Sequence, residues 1–184
     1  MTRRTTATIA VLVYVGSVLL ANWLTTRYGF VNVGFGKATT AGTFAAGGAL
    51  VVRDIVQDAL GRAGVIVLIV VAAGLSYLVS APAIALASGA AFLIAESLDM
   101  LAYTPLRKRA RFGDRRWQVA VAAGATVGAL ADTVVFLTIA FGWASVRPAL
   151  AGQLLGKGEV VAALIVLGVA TRALLRESVD AAGA

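Results

Sequence analysis

Long apolar runs, broken by short polar or glycine-rich stretches, dominate the chain. The first, ATIAVLVYVGSVLLANW, follows the basic start MTRRTT and predicts a helix over about 6–26. It resembles a secretory leader, but the run is long and no clean small-x-small site follows, so it reads as a retained span. The next run predicts a second helix over about 38–60, ended by Gly61. AGVIVLIVVAAGLSYLVS predicts a third over about 63–80. Pro82 opens a fourth, about 82–104, and Pro105 closes it. A fifth covers about 117–142 and a sixth about 159–176. Several runs reach the roughly 18 apolar residues that mark a membrane span. The intervening WASVRPALAGQLLGKG, 143–158, is polar and glycine-broken. It reads either as an outer amphipathic turn or as an early start to the sixth helix. The expected fold class is an all-α integral membrane protein: six transmembrane helices in a single transmembrane domain over 1–184.

Composition sharpens this picture. Of 184 residues, 60% are hydrophobic and 14% charged, against about a quarter charged in a soluble domain. Mean hydropathy is +0.90. The net charge of +7 would suggest nucleic acid in a soluble protein; here the basic residues flank spans, so no nucleic-acid partner is expected. With the N-terminus inside, inner segments hold eleven Lys and Arg, six of them in LRKRARFGDRR (106–116). Outer segments hold four: Arg27, Lys37, Arg147 and Lys157. Arg53 remains within the membrane. That asymmetry places both termini in the cytoplasm and the chain, multi-pass, in the cytoplasmic (inner) membrane. There is no cysteine and no histidine, which removes thiolates, disulfides and the usual near-neutral proton relay. No phosphate loop, nucleophile triad or metal-ligand cluster is present. The expectation is a non-enzyme with no cofactor and no metal.

The informative positions are charges inside predicted helices: Asp54, Asp58, Glu96, Asp99 and Asp132, five of the nine acids. Each costs about 2.5–3.5 kcal/mol at mid-span, and such residues face a bundle interior, a partner or a wet cavity. Asp58 lies near a helix end and could sit at the interface. Asp54 and Asp58 are four residues apart, as are Arg53 and Gln57; Glu96 and Asp99 are three apart. These spacings share a helix face. Arg53 is expected to pair with one of the acids, since an unpaired buried guanidinium would be strongly destabilising. The alternative use of these charges is a network that only fixes helix register.

Carboxylates in a dry cavity accept hydrogen bonds from donor-rich ligands or hold cations. A guanine-like edge sets a ring N–H beside an exocyclic amine, and one carboxylate can accept from both. Asn22 or Gln57 could serve the adjacent carbonyl, and an aromatic ring such as Phe92 or Phe136 could cover the base. The same acids could carry a coupling proton. From residue types alone, base, amine, metal cation and proton all stay open.

Taken in order, AGTF…RDIVQDALGR, ASGAAFLIAESLDMLAYTPLRKR and GATVGALADTVVFLTIAFG resemble the vitamin-uptake-like (VUT) family, whose best-known branch is the queuosine precursor transporters. The resemblance runs from the Asn22 region through the sixth helix. It implies six helices and import of a purine-like base, a 7-deazaguanine such as preQ0 or preQ1. By position it carries over Asn22, Asp54 with Gly61, Glu96 and Asp99 with Arg107, and Asp132 with Phe136. On this basis the expected substrate-binding residues are Glu96, Asp132, Asn22, Gln57, Phe92 and Phe136. Arg53, Asp54, Asp58 and Asp99 form the expected coupling or ion-pair network. Arg53 beside Asp54 departs from the branch, where a small neutral residue is expected; an added cation would disfavour cationic preQ1 and favour a neutral base. Two other readings stay open: a substrate-binding subunit of an energy-coupling-factor importer, and a non-transporting structural membrane protein. The implied partners are a small purine-like molecule and the lipid bilayer; proton coupling and a homo-oligomer stay open.

Overall fold

Away from water, a segment must satisfy its backbone internally, and the apolar runs do so as helices. The computed structural model describes residues 3–107 and 115–182, with the backbone alone for 3, 4, 6, 54, 55, 58, 99, 100, 102–107, 115–118, 120–122, 124, 125 and 165–182. The order is α1 (Arg3–Tyr28), β1 (Phe30–Gly34), β2 (Lys37–Thr40), α2 (Thr43–Ser76), α3 (Pro82–Arg107), α4 (Arg115–Phe141), a 3-10 turn (Trp143–Ser145) and α5 (Val146–Ala182). Among the described residues these are six helices, counting the 3-10 turn, and one two-stranded antiparallel sheet.

α2 is not one rod. Its 34 residues would run about 50 Å if straight. Yet the Gly42 N–H at its start donates to Thr25 Oγ1 at 3.2 Å, and Ser76 Oγ at its end accepts from Asn22 Nδ2 at 2.8 Å. Both ends therefore lie beside the same end of α1. The chain doubles back at Gly61, whose φ of 71° and ψ of 176° are non-helical and essentially reserved for glycine. The break expected between the second and third helices is there. Six apolar segments thus run alternately between a hairpin end and an opposite end. At the hairpin end the Ala81 N–H donates to Thr26 Oγ1 at 3.0 Å, and the Phe30 and Phe141 rings meet at 4.9 Å.

Three boundaries need correction. The second helix does not begin at 38, because residues 38–40 belong to β2 and helix starts at Thr43. The β-branched Thr39 and Thr40 favour strand, and three consecutive left-handed residues, Gly34, Phe35 and Gly36, make the turn. The sixth helix begins at Val146 rather than 159. Pro148 does not prevent this, since a first-turn residue has no N–H to place in the helical ladder. α3 continues two residues past Pro105.

Polarity is inverted relative to a soluble protein. Asn22, Thr25, Thr40, Thr43, Ser76, Glu96, Asp132, Gln153 and Lys157 are buried, while Leu12, Val67, Val70, Leu86, Leu101 and Val119 stand exposed along α1 to α4. Apolar surface on this scale marks contact with another apolar phase. By length and composition, two described helical stretches suffice to cross a membrane, Ala7–Tyr28 and Ala59–Ser76; Thr43–Arg53, Pro82–Leu98 and Thr126–Phe141 are shorter apolar stretches. The hairpin lies directly on α5: a Cβ added at Gly152 would sit 1.9 Å from the Ala38 carbonyl oxygen.

Gly61→Ala is expected to lower stability by about 1–3 kcal/mol through backbone strain alone, because no atom lies within 4 Å of the added methyl. Gly48→Ala, equally open but helical, is expected to raise it by up to about 1 kcal/mol. Thermal unfolding of both variants in detergent checks the contrast.

Candidate functional site

Two buried ion pairs cross the interior. Arg53 on α2 places Nη1 2.8 Å from Glu96 Oε2 on α3. Lys157 on α5 pairs with Asp132 Oδ2 on α4 and also donates to Thr133 Oγ1 at 2.9 Å. Glu96, Asp132 and Lys157 are 3%, 5% and 4% exposed, so each charge needs its partner: removing one half of a buried pair strands the other. Tyr14 packs in the same core as Val56, Ile69 and Phe92. Its hydroxyl is buried and, among the described residues, without a hydrogen-bond partner.

The pairs flank two cavities. The larger, about 450 Å³, is lined by Leu50, Val51, Arg53, Ile69, Phe92, Glu96, Gly128, Leu154 and Lys157, among others. That volume lies within the range of small-molecule sites, and an apolar lining with a few polar groups is their usual composition. The smaller, about 30 Å³, has room for little more than water. Many polar side chains reach its wall, Asn22, Thr25, Thr40, Thr43, Ser88, Asp132, Gln153 and Lys157, beside Phe92 and Phe136. Phe92 and Lys157 border both. A chain of hydroxyls closes the small cavity toward the hairpin: Gln153 Nε2 donates to Thr40 Oγ1 at 2.9 Å, and Thr43 Oγ1 lies 2.7 and 3.0 Å from the hydroxyls of Thr39 and Thr40.

Of the expected binding residues, Glu96 and Phe92 line the large cavity, and Asn22, Phe92, Asp132 and Phe136 line the small one. Gln57 lines neither cavity. Asn22 donates to Ser76, whose own hydroxyl donates to the Ala72 carbonyl. Arg53 does pair with an acid, and that acid is Glu96. The side chains of Asp54, Asp58 and Asp99 lie outside the described residues, so that part of the expected network has no geometry here.

Lys157 was missed. Starting the sixth helix at 159 left it among the outer loop charges, whereas it is buried on α5. The available signal was the spacing of Gln153 and Lys157, four residues apart beside Gly152 and Gly156, which puts two polar groups on one small-residue helix face. Gly47 lets α2 approach α5 there: a Cβ on it would lie 3.3 Å from the Lys157 Cα.

A mostly helical chain with an apolar exterior, paired interior charges and a partly open cavity of small-molecule size has the make-up of a membrane protein that handles small molecules. A family model described as "putative vitamin uptake transporter" matches residues 8–176, and the chain belongs to that family. No curated protein and no solved structure matches it.

Lys157→Met is expected to destabilise the protein by about 3–5 kcal/mol, because it leaves Asp132 buried and unpaired. Adding Asp132→Asn removes the stranded charge and is expected to restore most of the loss. A double-mutant cycle by thermal unfolding reads the coupling directly.

Proposed function

We propose that this chain is a secondary transporter that imports a neutral purine-like base, a 7-deazaguanine of the preQ0 type. The observation that supports this most is the chamber of about 450 Å³ with Phe92 on its wall and both ion pairs at its edge. Family membership supports transport. The choice of base rests on the chemistry of the lining: carboxylates that accept from N–H groups, an ammonium and a guanidinium that donate to carbonyls, and an aromatic face.

Charge favours a neutral base. Glu96 and Asp132 each have a tethered cation already in place. An aminomethyl cation such as preQ1 would meet, among the described residues, acids that already hold a cation.

The positive-inside rule supports an orientation. The opposite end from the hairpin carries Arg62, Arg107 and Arg115 at helix boundaries, and the hairpin end carries Arg27, Lys37 and Arg147. With Lys157 moved from the outer tally to the interior, the positive-inside asymmetry is larger than the sequence suggests. The hairpin then faces outward and both termini face the cytoplasm. Glu96 lies about 20 Å along α3 from its hairpin-end start, near the middle of that helix, so the large chamber sits near mid-membrane. The hydroxyl chain lies between it and the hairpin.

In cells lacking their own precursor transporter and precursor synthesis, the wild-type chain is expected to restore queuosine in tRNA at low preQ0, and less effectively at low preQ1. Asp132→Asn and Glu96→Gln, verified in the membrane, are expected to abolish restoration. Full activity of both variants would overturn the site. No restoration by the wild type, with restoration once an energy-coupling module is supplied, would turn the reading to a substrate-binding subunit.

A further inference from the structure

Lys157 occupies an unusual place. Its ammonium is buried on Asp132 and Thr133, and its side chain borders both cavities. The smaller cavity, about 30 Å³, is far too small for a bicyclic base. A base held in the large chamber meets Lys157 first and reaches Asp132 only if the ammonium moves aside. The backbone is held where α2 crosses at Gly47, so movement falls to the flexible four-carbon stem, which a lysine supplies and a planar arginine fork does not.

An ammonium beside a carboxylate is a donor next to an acceptor. A lactam edge, N–H beside C=O, is its mirror: the carbonyl accepts from Nζ and the ring N–H donates to Oδ2. Both charges stay hydrogen-bonded throughout the exchange, so neither is stranded in the interior. An edge with an amino group in place of the carbonyl sets a donor against Lys157 and leaves the ammonium facing another N–H. A site built to pair a polar edge rejects an analogue that leaves its own buried groups unpaired. Glu96, paired with Arg53, does not offer the same edge, since Arg53 is a rigid multi-donor fork.

We propose that Lys157 is a specificity-determining residue: with Asp132 it forms a donor–acceptor pair that opens to read the lactam edge of the base, joining the two cavities as it does so. This rests on the purine-like reading above and names the residue that selects the 6-oxo over the 6-amino class.

The test uses the full chain, purified in detergent or nanodiscs, with direct binding of two probes: preQ0, which has the lactam, and its 2,6-diamino counterpart, which lacks it. The wild type is expected to prefer the lactam by about tenfold or more. Lys157→Met with Asp132→Asn removes both charges together, so neither is left buried alone. In that variant the preference is expected to collapse toward one. Lys157→Arg, which keeps the charge but not the flexible stem, is expected to lose most of the preference as well. A wild type that binds both probes equally overturns the proposal without any variant. So does a folded double variant that keeps the full preference, which would make the pair structural. A wild type that binds neither probe overturns the purine reading itself, and the proposal with it.

Discussion

Charge pairing in a poorly solvated interior is the constraint on which the rest of this structure depends. Four charged side chains, Arg53, Glu96, Asp132 and Lys157, sit inside a bundle whose outside is apolar. Each would be expelled or neutralised if left alone. The pairs form across α2 and α3, and across α4 and α5, and so add a polar tie to helices that also share apolar clusters. Arg53, Glu96 and Lys157 form the charged part of the chamber's otherwise largely apolar wall.

Around that constraint the backbone makes two unusual moves. Gly61 reverses α2 in one residue, returning Ser76 to the end of α1 that already holds Gly42 and Thr25. The hairpin then packs β2 against Gly152 of α5 closely enough that no side chain fits between them. Together they gather Asn22, Thr40, Thr43, Ser76 and Gln153 into one layer. Those groups satisfy each other through the hydrogen bonds among them, as buried polar groups must. The layer lies at the hairpin end, and the larger space lies beyond it.

Much of this is legible in the residues, and the misses have physical causes. Apolar periodicity marks the helices, and Gly61 is read correctly as a break because glycine ends an apolar run there. The depth and spacing of Glu96 and Asp132 point to the interior, where both lie. Arg53 is read as an ion-pair partner from the cost of leaving it alone, but a linear sequence cannot show that Glu96, 43 residues away, comes within 2.8 Å of it. Lys157 is hidden because a lysine flanked by glycines resembles a loop charge until the helix around it is known. The hairpin is hidden because its left-handed turn contains Phe35, a residue type that rarely adopts that conformation. Gln57 shares a helix face with Arg53, yet helix phase alone does not say which cavity that face meets.

The central claim is that this single chain carries a neutral base through a chamber neutralised by its own ion pairs. The most direct measurement is counterflow in liposomes that contain only the purified protein: labelled preQ0 outside, excess unlabelled preQ0 inside, and no imposed proton gradient. The account predicts transient accumulation of label above equilibrium, abolished by Asp132→Asn. Absence of any exchange, with the protein shown to be folded and inserted, would contradict it.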